Sequence, residues 1–192
     1  MQKFYYNEIK EQTLLLQQLN IVMDKYSRKE MDVPSSVLHW LSDAIQFYKT
    51  QGQAEKESRL QILKAEFVTA QRNINPLTFE KVTLHKHELQ STIAFKVLQG
   101  AETLLRNDLS ENKERLKGAI DLASQVIIAG LQGGIITTEM IKNIKGQHDI
   151  DALWTALSAD ANIALGQKRI LLAVSIYDVW ILMDELLSNL KN

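Results

Sequence analysis

The chain contains no cysteine, which removes disulfides, thiolate catalysis and cysteine-ligated zinc or iron–sulfur centres together. An excess of charge of one sign is missing too. The 22 Lys and Arg residues against 23 Asp and Glu leave a formal net charge of −1, spread along the chain, so no global field draws nucleic acid or anionic lipid. Proline is scarce: Pro34 and Pro76 stand alone, each where a helix can begin or end. Glycine offers nothing for phosphate. Gly130-Leu131-Gln132-Gly133-Gly134 has neither the lysine of a phosphate loop nor a preceding strand, and reads as a helix stop. No Gly-x-Ser-x-Gly sequence is present. The first residues, Met1 to Glu8, lack the continuous apolar core of a signal peptide, which makes the cytoplasm the expected location. Long uncharged apolar runs are absent as well. The stretch 170–187 approaches bilayer length, but Asp178 at its centre would cost roughly 2.5–3.5 kcal/mol on insertion. Asp184 and Glu185 add to that, so no membrane insertion is expected.

What is present is helical periodicity. Hydrophobic residues make up 45% and charged residues 23% of the chain, the balance of an ordered globular protein rather than a disordered one. From Lys168 to Asn189 the pattern is nearly all apolar, with Ser175, Asp178, Glu185 and Asn189 on one narrow stripe. Such a helix must be surrounded by other helices or by another subunit. The expectation is an all-α, single-domain bundle over residues 1–192, of about six or seven helices, with 168–190 as its central helix. A division into an N-terminal subregion 1–73 and a C-terminal bundle 78–192 is the alternative organisation.

The spacing of Leu15, Leu19, Val22 and Tyr26 predicts a first helix from about Lys3 to Ser27. Asp32-Val33-Pro34-Ser35 reads as the start of a second, with Asp32 or a nearby serine as cap. Gly52 kinks or ends it, and helix resumes to Arg72. Asn73-Ile74-Asn75-Pro76 is the clearest loop. Thr78 is the expected cap of a helix over 78–107, although residues 78–88 also fit an extended segment. Ser110 is the expected cap of the next, which Gln132-Gly133-Gly134 stops. A short helix near 138–145 follows, then one capped by Asp149 or Asp151, and Gly166 marks a turn into the last.

Chemistry is thin. On a helix His85 and His87 point about 200° apart, leaving His85 with Glu88 as the one candidate metal pair. His148, Asp149 and Asp151 lack the ligand number of a calcium loop. No histidine follows a glutamate at the Glu-x-x-His spacing of bundle metal sites. Asp178 and Glu185 share a face but stand about 10 Å apart along the axis; they read as partly solvated carboxylates, or as a polar seam at a subunit interface. Arg106, Lys113, Arg115 and Lys117 are interleaved with Asp108, Glu111 and Glu114, which argues against specific nucleic-acid binding.

Aromatics are the remaining lead. Phe4, Tyr5, Tyr6, Trp40, Phe47 and Tyr48 crowd the first quarter of the chain, as core or as an exposed contact surface. The expected function is accordingly a non-enzymatic interaction or assembly protein, a homodimer or the partner of another protein, without cofactor and with those aromatics in the contact. A second expectation is a small-ligand-binding regulatory domain with a pocket lined by Trp154, Tyr177 and Trp180. A third is a metal-dependent helical enzyme built around His85 and Glu88.

Overall fold

The computed structural model describes residues 3–191. Among them the chain forms eight α-helices and no strand: α1 (Tyr5–Ser27), α2 (Val33–Thr50), α3 (Ala54–Gln71), α4 (Lys86–Gln132), α5 (Thr138–Lys142), α6 (Gln147–Leu157), α7 (Ala161–Ala173) and α8 (Ile176–Lys191). The protein is all-α, with a count slightly above the six or seven expected. No helix among the described residues is long and apolar enough to cross a membrane.

Two compact units are present: Lys10–Ser110, and the described residues of Met1–Ile9 with Glu111–Asn192. α1 and α4 supply residues to both, and positions 73–78 fall inside the first unit. Each unit has its own core. In Lys10–Ser110, Leu19, Leu41, Tyr48, Leu60, Phe67, Val97 and Leu105 are buried together, and Trp40 Nε1 donates to the Leu15 carbonyl at 2.9 Å. In the other unit, Ala123, Ile127, Leu153, Leu157, Ile170, Val179, Leu182 and Met183 form the core, joined by Tyr5.

Helix ends are set by one recurring device. After α1, α2, α3 and α4 a residue of positive φ (Lys29, Gly52, Asn73 and Gly134) turns the chain. The next amide then bonds back across the last turn: Glu30 N to Lys25 O, Gln53 N to Tyr48 O, Ile74 N to Thr69 O, and Ile135 N to Gly130 O. These are Schellman closures, which satisfy carbonyls left open at a helix C-terminus. Gly52 therefore ends α2 rather than kinking it.

Five expected boundaries are corrected. α4 does not begin at Thr78, and it is not interrupted at Ser110; it is one run of 47 residues. Asn107, Asp108, Ser110 and Asn112 mimic a turn, yet no glycine or proline breaks the backbone there, and Asp108 and Asn112 are buried. The final helix is not continuous. Val174 is extended, and Ser175-Ile176-Tyr177-Asp178 forms a capping box that starts α8 anew: Asp178 N donates to Ser175 Oγ, and Ser175 N to Asp178 Oδ2. The apolar circumference expected of one central helix is thus shared by α7 and α8, each with its own buried face. Gly166 lies inside α7, where a Cβ would sit 2.9 Å from Val126 Cγ2. Lastly, α6 is capped by Gly146. Asp149 follows in its first turn, and the Lys145 amide donating to its carboxylate at 2.8 Å holds Asp149 below the usual carboxylate range. Asp32 does occupy the cap position of α2, without a side-chain cap bond; its carboxylate takes the Lys25 ammonium instead, which lowers the Asp32 pKa and raises that of Lys25.

Two glycines of α4 give opposite expectations. Nothing lies within 4 Å of a Cβ at Gly118, whereas one at Gly130 would meet Leu157 Cδ2, fully buried, at 2.2 Å. Gly118→Ala is expected to stabilise the protein by about 0.5–1 kcal/mol, and Gly130→Ala to destabilise it by about 1–3 kcal/mol, both read from urea unfolding.

Candidate interaction site

The buried polar groups show which chemistry the fold itself consumes. Asp178 is fully buried. Besides its capping box, it accepts from Tyr5 N at 3.1 Å and Tyr6 N at 2.9 Å, and Ser175 Oγ donates to it at 2.7 Å. One carboxylate therefore serves the N-termini of both α1 and α8, where partial positive charge favours an anion. The partly solvated carboxylate expected here is corrected: the donors gathered around Asp178 make its burial affordable only because each is hydrogen-bonded to it. Glu185, about two turns further along the same face, is exposed and accepts the Tyr6 hydroxyl at 2.7 Å. That hydroxyl is pushed above its ordinary value of 10.0 by burial, then by the Glu185 hydrogen bond and the charges of Glu185 and Asp178.

Within the same unit, Glu8 is buried beside Asn112 Nδ2 at 3.4 Å and Lys3 Nζ at 3.5 Å. Within Lys10–Ser110, buried Asp108 takes Lys56 and Gln12. Gln167 joins the Trp154 carbonyl and Ser158 Oγ, at 2.7 and 2.8 Å. These side chains are occupied in holding helices together.

The residues singled out from the sequence fall in several places. Tyr5, Trp40, Phe47 and Tyr48 are core residues, so an exposed aromatic surface made of them is not what the isolated chain presents. Tyr6 is half-buried, and Phe4 pairs with Tyr177 at a ring separation of 6.1 Å. Trp154 and Trp180 pack edge-to-face at 6.4 Å. Tyr177, with Phe4 as its ring partner, is 66% exposed, so the three do not converge on one cavity. His85 and Glu88 are brought together, Nδ1 to Oε2 3.5 Å, both well exposed. No group of three or more His, Asp or Glu able to hold a metal ion occurs among the described residues.

What sequence reading missed lies in the segment between α3 and α4. Asn73, capping α3 by its left-handed backbone, also accepts from Val82 N at 2.8 Å. Ile74 and Lys81 pair as an isolated antiparallel bridge. Asn75 N donates to Glu80 O at 2.9 Å, Phe79 N to Asn75 O at 2.8 Å, and Leu77 N to Asn75 Oδ1 at 2.9 Å. Pro76 sets φ for the turn. The result is a closed hairpin that presents Leu77, Phe79 and Leu84 with 69, 78 and 74% of their surface open. Phe79 has φ +58°, a conformation that costs a side-chain-bearing residue roughly 1–2 kcal/mol. The signal available in the sequence was Asn73-Ile74-Asn75-Pro76, a turn too short by itself to say that the apolar residues after it face outward.

No protein-family model, curated protein or solved structure matches this chain.

Two outcomes check the polar core. Asp178→Ala strands the amides of Tyr5, Tyr6 and Ser175 and is expected to lower the unfolding free energy by about 2–4 kcal/mol; Asp178→Asn should recover part of that, since one amide oxygen still accepts. The folded state holds the Tyr6 proton more tightly than the unfolded chain does, so stability present below pH 10.0 is lost as pH rises above it. Tyr6→Phe should blunt that alkaline loss, followed by thermal unfolding between neutral and strongly basic pH.

Proposed function

We propose that this chain is a non-enzymatic interaction protein of the cytoplasm that engages a protein partner through the 73–85 hairpin, on a scaffold of helices. The observation that carries this reading is Phe79. Its backbone is left-handed, its side chain is exposed, and its ring lies in no core. Folding alone would favour glycine at that position, so the ring is held at a cost that burial within the chain does not offset. Among the residues of positive φ other than glycine, Lys29, Asn73 and His85 are polar, whereas Phe79 combines the strain with a large exposed apolar ring, which points to a surface that acts on something else. Leu77 and Leu84 are exposed as well, and hydrogen bonds through Asn73, Asn75 and Glu80 pre-organise the hairpin, which reduces the entropy lost on binding.

The ligand-binding reading has less behind it, because Trp154 and Trp180 pack on each other while Tyr177 meets Phe4 with its ring tilted. The metal-enzyme reading has an exposed two-residue pair and no third ligand beside it.

A photoreactive phenylalanine analogue placed at 79 in the full chain, irradiated in cells, tests the proposal. A defined protein adduct at 79, absent when the label is placed at the fully exposed Met31, is the expected result; a folded protein without an adduct at 79 overturns the reading. In parallel, Phe79→Gly should raise the unfolding free energy by about 1 kcal/mol while abolishing the interaction.

A further inference from the structure

The unit that carries the hairpin also carries a groove with complementary chemistry. Between α3 and α4, Arg59, Ile62, Leu63, Lys96, Gly100 and Leu104 line a space of about 580 Å³, within the range of sites that take a ligand or a few inserted side chains. Gly100 widens it at one wall, where a Cβ would come within 3.4 Å of the Leu63 methyl groups. Ile62 on its rim is 57% exposed. The charged residues lining it are both cations. Lys96 is tied to Glu66 at 3.0 Å, whereas Arg59 is exposed and in no ion pair among the described residues. An occupant should therefore bring large apolar side chains with a carboxylate beside them.

The hairpin has that combination. Leu77 and Phe79 project outward, and Glu80, next to Phe79, is exposed with its carboxylate in no ion pair among the described residues. Resting on the interaction reading above, and naming its partner, we propose that the hairpin of one copy seats Leu77 and Phe79 in the α3–α4 groove of a second copy, with Glu80 against Arg59. The contact is taken as head-to-tail, each copy giving its hairpin to one neighbour and its groove to another, and not as a reciprocal exchange between two copies. A dimer so formed keeps one free hairpin and one free groove, and growth continues until a ring closes or a filament forms.

This architecture has a test that a symmetric dimer would not pass. A hairpin variant (Leu77→Ser with Phe79→Ser) and a groove variant (Arg59→Glu with Ile62→Ser) alter exposed side chains, and circular dichroism checks that both remain folded. In sedimentation velocity the wild-type chain is expected to form concentration-dependent species beyond a dimer, and each variant alone to remain a monomer. An equimolar mixture should form a dimer and stop there, because one intact hairpin and one intact groove remain between the two chains. Glu80→Arg should abolish association, and combining it with Arg59→Glu in one chain should restore it. A monomeric wild-type chain, a hairpin variant that still associates, or a mixture of folded monomeric variants that forms no dimer overturns the proposal. A monomeric wild type that nevertheless yields a defined adduct to another protein at position 79 overturns the self-association and leaves the interaction reading standing. No adduct at all overturns both.

Discussion

Asp178 is the residue on which the unit built from the first residues and the C-terminal helices depends. Its carboxylate meets four donors: the amides of Tyr5, Tyr6 and Ser175, and the Ser175 hydroxyl. Two helix N-termini, far apart in the chain, thus converge on one buried anion. A carboxylate in a dry environment is tolerated only when so surrounded, and the same requirement dictates where the chain can go. It starts α8 afresh at Ile176, separates it from α7, and brings the first turn of α1 into the C-terminal unit. Tyr5 then enters that core, Tyr6 reaches Glu185, and Phe4 packs at a tilt against Tyr177.

The same logic runs along α4, whose inward polar residues find partners inside their own units: Asp108 with Lys56 and Gln12, Asn112 with Glu8. Polar groups placed in a helical core specify which neighbour must lie opposite, because a wrong neighbour leaves a buried group unpaired. Against this interior, the 73–85 hairpin is the exception. It combines backbone strain with large apolar side chains turned to solvent, the reverse of what the cores do. That contrast, more than any catalytic constellation, is what distinguishes this surface from the rest of the molecule.

Much of the fold was legible in the residues. The spacing of Leu15, Leu19 and Val22 marked α1, Pro34 marked the start of α2, and Gln132-Gly133-Gly134 marked the end of α4. These are local signals, since period, proline geometry and the left-handed preference of glycine act within one or two turns. The candidate site was hardly legible. Trp40, Phe47 and Tyr48 carry the same apolar character whether they face a core or a partner, and composition does not say which. Thr78 looks like the cap of a helix, with Phe79 in its first turn, until Asn73 and Asn75 are seen to close the chain on itself.

By itself, then, the sequence determined that the chain is helical, where most helices stop, and that it carries no thiol chemistry. Tertiary structure alone decided the fate of the polar residues. Ser110 read as a helix cap but lies inside an unbroken helix of 47 residues, beside buried Asp108 and Asn112, and Asp178 read as a partly solvated carboxylate but is a buried double cap. The physical reason is that a polar side chain takes its role from its partners. The donors that meet Asp178 come from position 175 and from positions 5 and 6, and no window along the chain contains them all.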